Sequence, residues 1–219
     1  MIRLLRALPA PMLLLVALVA YAQTPSGRGA QAAPSTPGPQ AQPSRPLPDI
    51  PIKTIDAKGI NLRKFRGKEL IIVVFSTQCE DCIATVGILA KIQKDFGPRG
   101  LQVIGIAGNE NAAYTVGPFA ERYKPGFPLG FLNQDSVIKL TNIKKDDHPF
   151  VPIVMFVDST GTVRVQYFGD SQLFKDQQQE KALRAIADSL LKWQVQHTAN
   201  AKAASTPKPE TPPPAKPDP

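Results

Sequence analysis

The sequence predicts an α/β domain: a central mixed β-sheet flanked by helices, with an N-terminal β-hairpin extension. Three observations carry this expectation. Residues 70–75, 101–107 and 151–157 are strand-length apolar runs without polar alternation, the pattern of strands covered on both faces. Residues 79–96 switch to helical spacing, with Ile88, Leu89, Ile92 and Phe96 as the apolar stripe, so strand, helix and strand follow one another as a right-handed crossover. Finally, 16 of the 23 prolines lie outside residues 49–197, which leaves one segment able to bury a core.

Taken in order, the alternation over 52–56, the turn Ala57-Lys58-Gly59 and the apolar return at 60–62 read as the hairpin. Residues 70–75 form the central strand. The helix that follows ends at Gly97-Pro98, and Gly87 inside it marks a kink. After the buried strand 101–107, residues 112–123 are helical, with a bend or break expected at Gly117-Pro118. A short strand over 127–132 and a short helix over 136–142 lead to the third buried strand, 151–157. Residues 158–161 turn the chain into an antiparallel strand at 163–168. A last helix over 172–196 puts Leu183, Ile186, Leu190 and Leu191 on one face to cover the sheet.

The flanks differ in kind. Residues 1–22 read as a secretory signal: Arg3 and Arg6 precede an apolar stretch at 12–20, and Ala20-Tyr21-Ala22 supplies a small-residue cleavage site before Gln23. An uncleaved anchor is the competing reading, although the apolar run is shorter than the roughly 20 residues that span a bilayer. No cysteine lies near the cleavage site and the arginines are not adjacent, which excludes lipidation and a twin-arginine signal. The expected route is export in unfolded form. Residues 23–48 form a proline-rich linker, 49–197 the folded domain, and 198–219 a proline-rich tail disordered by composition.

The net charge of +8 is spread along the chain with no basic run interleaved with aromatics, so nucleic-acid binding is not expected. Membrane contact is limited to the signal segment and weak attraction to anionic surfaces, and the protein is expected to be a monomer.

The chemistry resides in Cys79 and Cys82, the only cysteines, placed where the central strand hands over to a helix. A structural disulfide at this spacing closes so small a loop that it stabilises little. Structural zinc would need further ligands, and the chain offers only His148 and His197. A helix N-terminus favours an anion, so Cys79 is the attacking thiolate and Cys82, one turn further in, resolves the mixed disulfide.

The run Phe75-Ser76-Thr77-Gln78-Cys79-Glu80-Asp81-Cys82, followed by Val151-Pro152 and then by Phe156-Val157-Asp158 and Gly161, resembles the thioredoxin-like thiol-disulfide oxidoreductases of the bacterial envelope. These belong to the alkyl hydroperoxide reductase/redoxin superfamily and include the reductases of cytochrome c maturation. The likeness covers residues 49–191. It implies a thioredoxin-like fold, a periplasmic or other extracytoplasmic location, a redox-active Cys79–Cys82 disulfide with no further cofactor, a protein dithiol or disulfide as substrate, and an envelope electron donor. It also implies that Pro152 is a cis-proline facing the cysteines, with the Val151 main chain and Gln78 meeting the substrate.

The sequence departs from that pattern at several positions. Gln78 replaces the usual tryptophan before the first cysteine, and Asp81 the usual proline before the second. Val73 stands in place of a buried acid, and Thr85 in place of a glutamate found in some envelope reductases. Glu80 is the candidate replacement for proton transfer. Glu80 and Asp81 oppose the thiolate, which predicts a reducing potential nearer thioredoxin than the strong envelope oxidants. Three alternatives remain. Sco-type copper chaperones share the fold, and Cys79, Cys82 and His148 could form a soft copper site. A thiol peroxidase would use Thr77 with Arg122, and a non-catalytic interaction module would use the tails.

Overall fold

Strand β2, Glu69–Phe75, is buried at all seven positions and sits in the middle of the structure. In the computed structural model, residues 44–144, 150–175 and 177–204 are described, with side chains up to 196, all within the unit Thr36–Pro219. The expected signal segment at 1–22, nearly all of the linker, His148 and the end of the tail lie outside the described residues. Among the described residues no helix is long and apolar enough to cross a membrane.

The sheet is mixed, in the order β1-β6-β5-β2-β3-β4. Strand β3, Leu101–Ala107, and β4, Leu129–Phe131, continue it in parallel on one side of β2. On the other side β5, Ile153–Val157, and β6, Thr162–Tyr167, are antiparallel, and β1, Arg45–Pro46, pairs with β6 at the edge. The helices are α1, Glu80–Phe96; α2, Ala112–Tyr123; α3, Gln134–Thr141; α4, Gln172–Lys175; and α5, Gln179–Ala204.

Successive side chains of a strand point to opposite faces, and β2 fills both. Ile71, Val73 and Phe75 pack in one cluster with Val86 and Leu89 of α1, Val116 and Phe119 of α2, and Leu183 and Leu190 of α5. Leu70, Ile72 and Val74 pack in the other with Ile50, Ile52, Leu62, Met155, and Leu140 of α3. Each fully buried aliphatic or aromatic side chain stabilises the fold by about 1.5–3 kcal/mol, so β2 tolerates no polar residue within its apolar run.

Four expectations need correction. The N-terminal hairpin is reduced to one reciprocal pair, Ile52 with Ile60, because Lys53 turns away to exchange hydrogen bonds with Phe131 on the free edge of β4. Arg45–Pro46, within the expected linker, is instead held as a short edge strand: Arg45 Nη2 donates to Leu140 O and to Gln166 Oε1, both at 2.9 Å. Gly87 and Pro118 do not break their helices. Helix α1 runs through Gly87, and α2 runs through Pro118, whose neighbours Val116 and Phe119 are anchored in the core and offset the lost amide donor. The last helix is two, α4 and α5, and α5 continues to Ala204, into the segment that composition assigned to the tail.

At the pole opposite the cysteines, the first residue of β2, Glu69, is fully buried. Its Oε1 accepts from the Ser159 amide, while Oε2 has no partner. Burial, only partly opposed by that bond, pushes the Glu69 carboxyl up from 4.5 to about 7. Neighbouring Asp158 goes the other way: burial opposes it, but hydrogen bonds from Thr160, Thr162 and Arg164 hold it below the usual range.

The folded protein therefore holds the Glu69 proton more tightly than the unfolded chain. Its contribution to stability is complete below about pH 4.5 and is lost as pH rises to about 7. Glu69→Gln, which mimics the protonated carboxyl, is expected to be more stable than the parent at pH 8, by about 2–3 kcal/mol, with little difference at pH 4. Urea denaturation at the two pH values measures this; an equal difference at both would show that folding does not raise the Glu69 carboxyl.

Candidate active site at the carboxyl end of the central strand

Beyond Phe75 the chain leaves the sheet through Ser76-Thr77-Gln78 and enters α1 at Cys79. The turn is tied down on its outer side. The Thr77 amide donates to Asn109 Oδ1 at 3.2 Å, and the Thr77 hydroxyl to Thr115 Oγ1 at 2.9 Å. Asn109 Nδ2 in turn donates to Asn111 Oδ1 at 2.6 Å, and the Cys79 amide donates to Ser76 O at 3.3 Å. These bonds join the start of α1 to the loop between β3 and α2.

Cys79 is the N-cap of α1, with extended dihedrals (φ −90°, ψ 122°), and its Sγ accepts the Cys82 amide at 3.2 Å. Sulfur thus takes the place that an oxygen usually holds at a helix start, facing amides with no intrahelical acceptor. The Cys79 sulfur therefore sits at the positive end of the α1 dipole. Both cysteines are free thiols, Cys79 partly exposed and Cys82 fully buried. Burial first, and then the hydrogen bond with Cys79, push the Cys82 thiol up. The two sulfurs are unequal: one is partly open, the other covered and pushed towards its protonated form.

The Val151-Pro152 peptide bond is cis, as the resemblance implied. Ile153 pairs with Val74, so Val151 and Pro152 lie level with the end of β2, beside the turn that carries Cys79. Val151 is half-buried against both core clusters, and none of the described residues hydrogen-bonds to its main chain. Its neighbour Phe150 is 66% exposed. Gly169 holds this segment closely: its amide donates to Phe150 O at 2.8 Å, and a Cβ there would lie 2.4 Å from Val151 O.

The remaining expected residues divide. Gln78 and Glu80 are exposed beside Cys79, Gln78 in the turn and Glu80 in the first turn of α1. Val73 is fully buried in the same cluster as Cys82, so an apolar side chain occupies that position. Arg122 stacks on Tyr123 at 5.3 Å in the last turn of α2, the end away from Thr115 and the cysteine turn. No group of His, Cys, Asp and Glu among the described residues could hold a metal ion.

Sequence reasoning missed the residues that position the turn. Asn109 and Asn111 carry a signal in retrospect, as a polar cluster at a strand-to-helix junction. Gln179 carries none: its Nε2 donates at 2.9 Å to the buried Thr85 hydroxyl, which donates to Asp81 O at 2.7 Å, so the start of α5 braces the first turn of α1.

This geometry predicts unequal alkylation. In the native reduced protein, iodoacetamide is expected to label Cys79 about 100-fold faster or more than Cys82, as read by peptide mass spectrometry. Equal labelling would mean that Cys82 is not covered in solution.

Among known proteins, the chain is 24% identical over 83 residues to the Thioredoxin-like protein YneN of Bacillus subtilis (strain 168), covering 37% of this chain and 49% of that one. It is 23% identical over 117 residues to the Thiol-disulfide oxidoreductase ResA of Geobacillus thermodenitrificans (strain NG80-2), covering 53% and 64%. The chain thus spans about half to two thirds of the length of these curated relatives. In three dimensions it resembles the thioredoxin family thiol:disulfide interchange protein from Chlorobium tepidum TLS, with a TM-score of 0.56 at 21% identity over 68% of this chain and 98% of that one. The fold is therefore thioredoxin-like. The AhpC/TSA family pattern matches residues 43–166, more than half of the chain, taking in the edge strand, both cysteines and the Val151-Pro152 turn; the chain belongs to the AhpC/TSA family.

Proposed function

We propose that this protein is an exported thiol-disulfide oxidoreductase that reduces protein disulfides through Cys79 and Cys82. The observation that carries the reading is the partly exposed Cys79 Sγ at the N-terminus of α1, accepting the Cys82 amide with the buried Cys82 thiol one turn behind. The relatives named thiol-disulfide oxidoreductases support it, and the composition of residues 1–22 supports export to the periplasm.

In the reaction, the Cys79 thiolate attacks one sulfur of the substrate disulfide. A Cys79–substrate bond forms, the substrate S–S bond breaks, and the leaving sulfur departs as a thiolate that takes up a proton. Cys82 then gives up its proton and attacks the Cys79 sulfur, closing the Cys79–Cys82 disulfide and releasing the second substrate thiol. Two electrons pass to the substrate, and an envelope dithiol donor returns them. The raised Cys82 thiol keeps the resolving sulfur protonated until the mixed disulfide forms. Glu80, one of two exposed carboxylates in the first turn of α1 with Asp81, takes that proton through water. The Val151 main chain, free among the described residues, offers the substrate an extended edge beside Cys79, with Gln78 on the neighbouring side.

Two experiments test this. Cys79→Ser is expected to lower the rate of protein-disulfide reduction by about 1,000-fold, while Cys82→Ser accumulates a mixed disulfide through Cys79 that mass spectrometry identifies. Equal reduction by Cys79→Ser and the parent would end the reading.

Gly169→Ala is expected to slow reduction by about 10–100-fold, because its Cβ would displace the Phe150–Val151 main chain next to the sulfur. The rate is compared at a temperature where circular dichroism shows the variant folded. An unchanged rate would show that this segment does not contact substrate.

A further inference from the structure

Five large hydrophobic side chains are strongly exposed among the described residues, and two of them, Tyr114 at 85% and Phe150 at 66%, flank the cysteine turn. Tyr114 adjoins Thr115, whose hydroxyl accepts from Thr77. Phe150 adjoins Val151, level with the end of β2. An aromatic ring left in water beside a reactive sulfur is surface available to a partner, since burying it against another chain is favourable.

Among the described residues the charges on the segments that border the turn are acidic, and exposed Lys53 lies on the outer side, where it lines a cavity with Asn109 and Glu110. The segments bordering it are 76–83, 108–115, 150–152 and 168–171, and their charged residues are Glu80, Asp81, Glu110 and Asp170, all exposed. Asn109 carries Glu110 to the rim through its bond to the Thr77 amide, and Gly169 carries Asp170 there through its bond to Phe150 O. An acidic rim on a chain of net charge +8 runs against the chain's own average. A rim of this kind attracts cationic segments and repels anionic ones before any covalent step.

From this juxtaposition we infer that the face around Cys79 docks an extended, basic polypeptide segment in which an aromatic or other large apolar side chain lies within a few residues of the cysteine. The inference rests on the thiol-disulfide reading and deepens it by assigning the substrate class. The extended form follows from the Val151 main chain, unpaired among the described residues, the apolar neighbour from Tyr114 and Phe150, and the positive charge from the acidic residues of the bordering segments. Acidic or strongly anionic disulfide segments are disfavoured at the same site.

Docking and chemistry are tested apart. Fluorescent heptapeptides of one design, each with a phenylalanine and a central serine, flanked by arginine, serine or glutamate, are titrated against the Cys79→Ser, Cys82→Ser protein. The arginine peptide is expected to bind about 10-fold tighter or more than the glutamate peptide at low salt, with the gap closing near 0.5 M salt. Glu110→Gln with Asp170→Asn should shrink the ratio to about threefold or less, and Tyr114→Ser should weaken all three peptides.

The active protein is then assayed on mixed disulfides of the same series with a central cysteine. Reduction without charge preference in binding or turnover overturns the docking inference and leaves the redox reading standing. Charge-selective binding without reduction of any disulfide does the reverse. Equal affinity for the three peptides, or tighter binding of the glutamate peptide, overturns the inference directly.

Discussion

The rest of the structure depends on the complete burial of β2. A strand with no solvent-facing residue must have partners on both edges and cover on both faces, and the fold supplies them: β3 and β5 at the edges, α1, α2 and α5 on one side, α3 and the N-terminal segment on the other. A buried strand has to deliver its functional residues at an end, because nothing along its length reaches water. At its carboxyl end a helix begins at once, and the positive end of that helix dipole meets sulfur. The position of Cys79 follows from the packing of the centre.

The two ends of β2 show opposite electrostatic solutions. At the start, Glu69 is buried with one oxygen unpartnered and takes a proton to remain there. At the finish, Cys79 stays partly open and accepts an amide, while the thiol behind it is covered and pushed towards its protonated form. Desolvation acts at both ends, but only at the carboxyl end does a helix N-terminus stand next to an exposed neighbour. That difference separates a buried acid from a cysteine pair with one open and one covered sulfur.

The cysteine turn is braced from two directions that have no relation in sequence. Asn109 and Thr115 hold its outer side from the loop before α2, and Gln179 at the start of α5 holds Thr85 beneath it. Positions that resemble departures from a family pattern are therefore integrated: Thr85 is fully buried with its hydroxyl both donating and accepting, and Val73 completes an apolar layer around Cys82. Exposed Glu80 and Asp81 stand in the first turn of α1 beside Cys79.

The sequence by itself determined the central strand, its two neighbours, the helix that opens at Cys79 and the placing of Cys82 one turn further in, because each is written in local periodicity or spacing. Resemblance added the place of Val151-Pro152. Composition could not foresee that Arg45–Pro46 joins the sheet or that the hairpin shrinks to one pair, since both turn on which free strand edge lies within reach. Gly87 and Pro118 illustrate the same limit in helices, where burial of neighbouring side chains outweighs local preference. Only the tertiary structure decided that one Glu69 oxygen is orphaned, that Gln179 reaches Thr85, and that Asn109 and Thr115 hold the turn before Cys79. Those facts depend on contacts between distant segments, which no window of sequence contains.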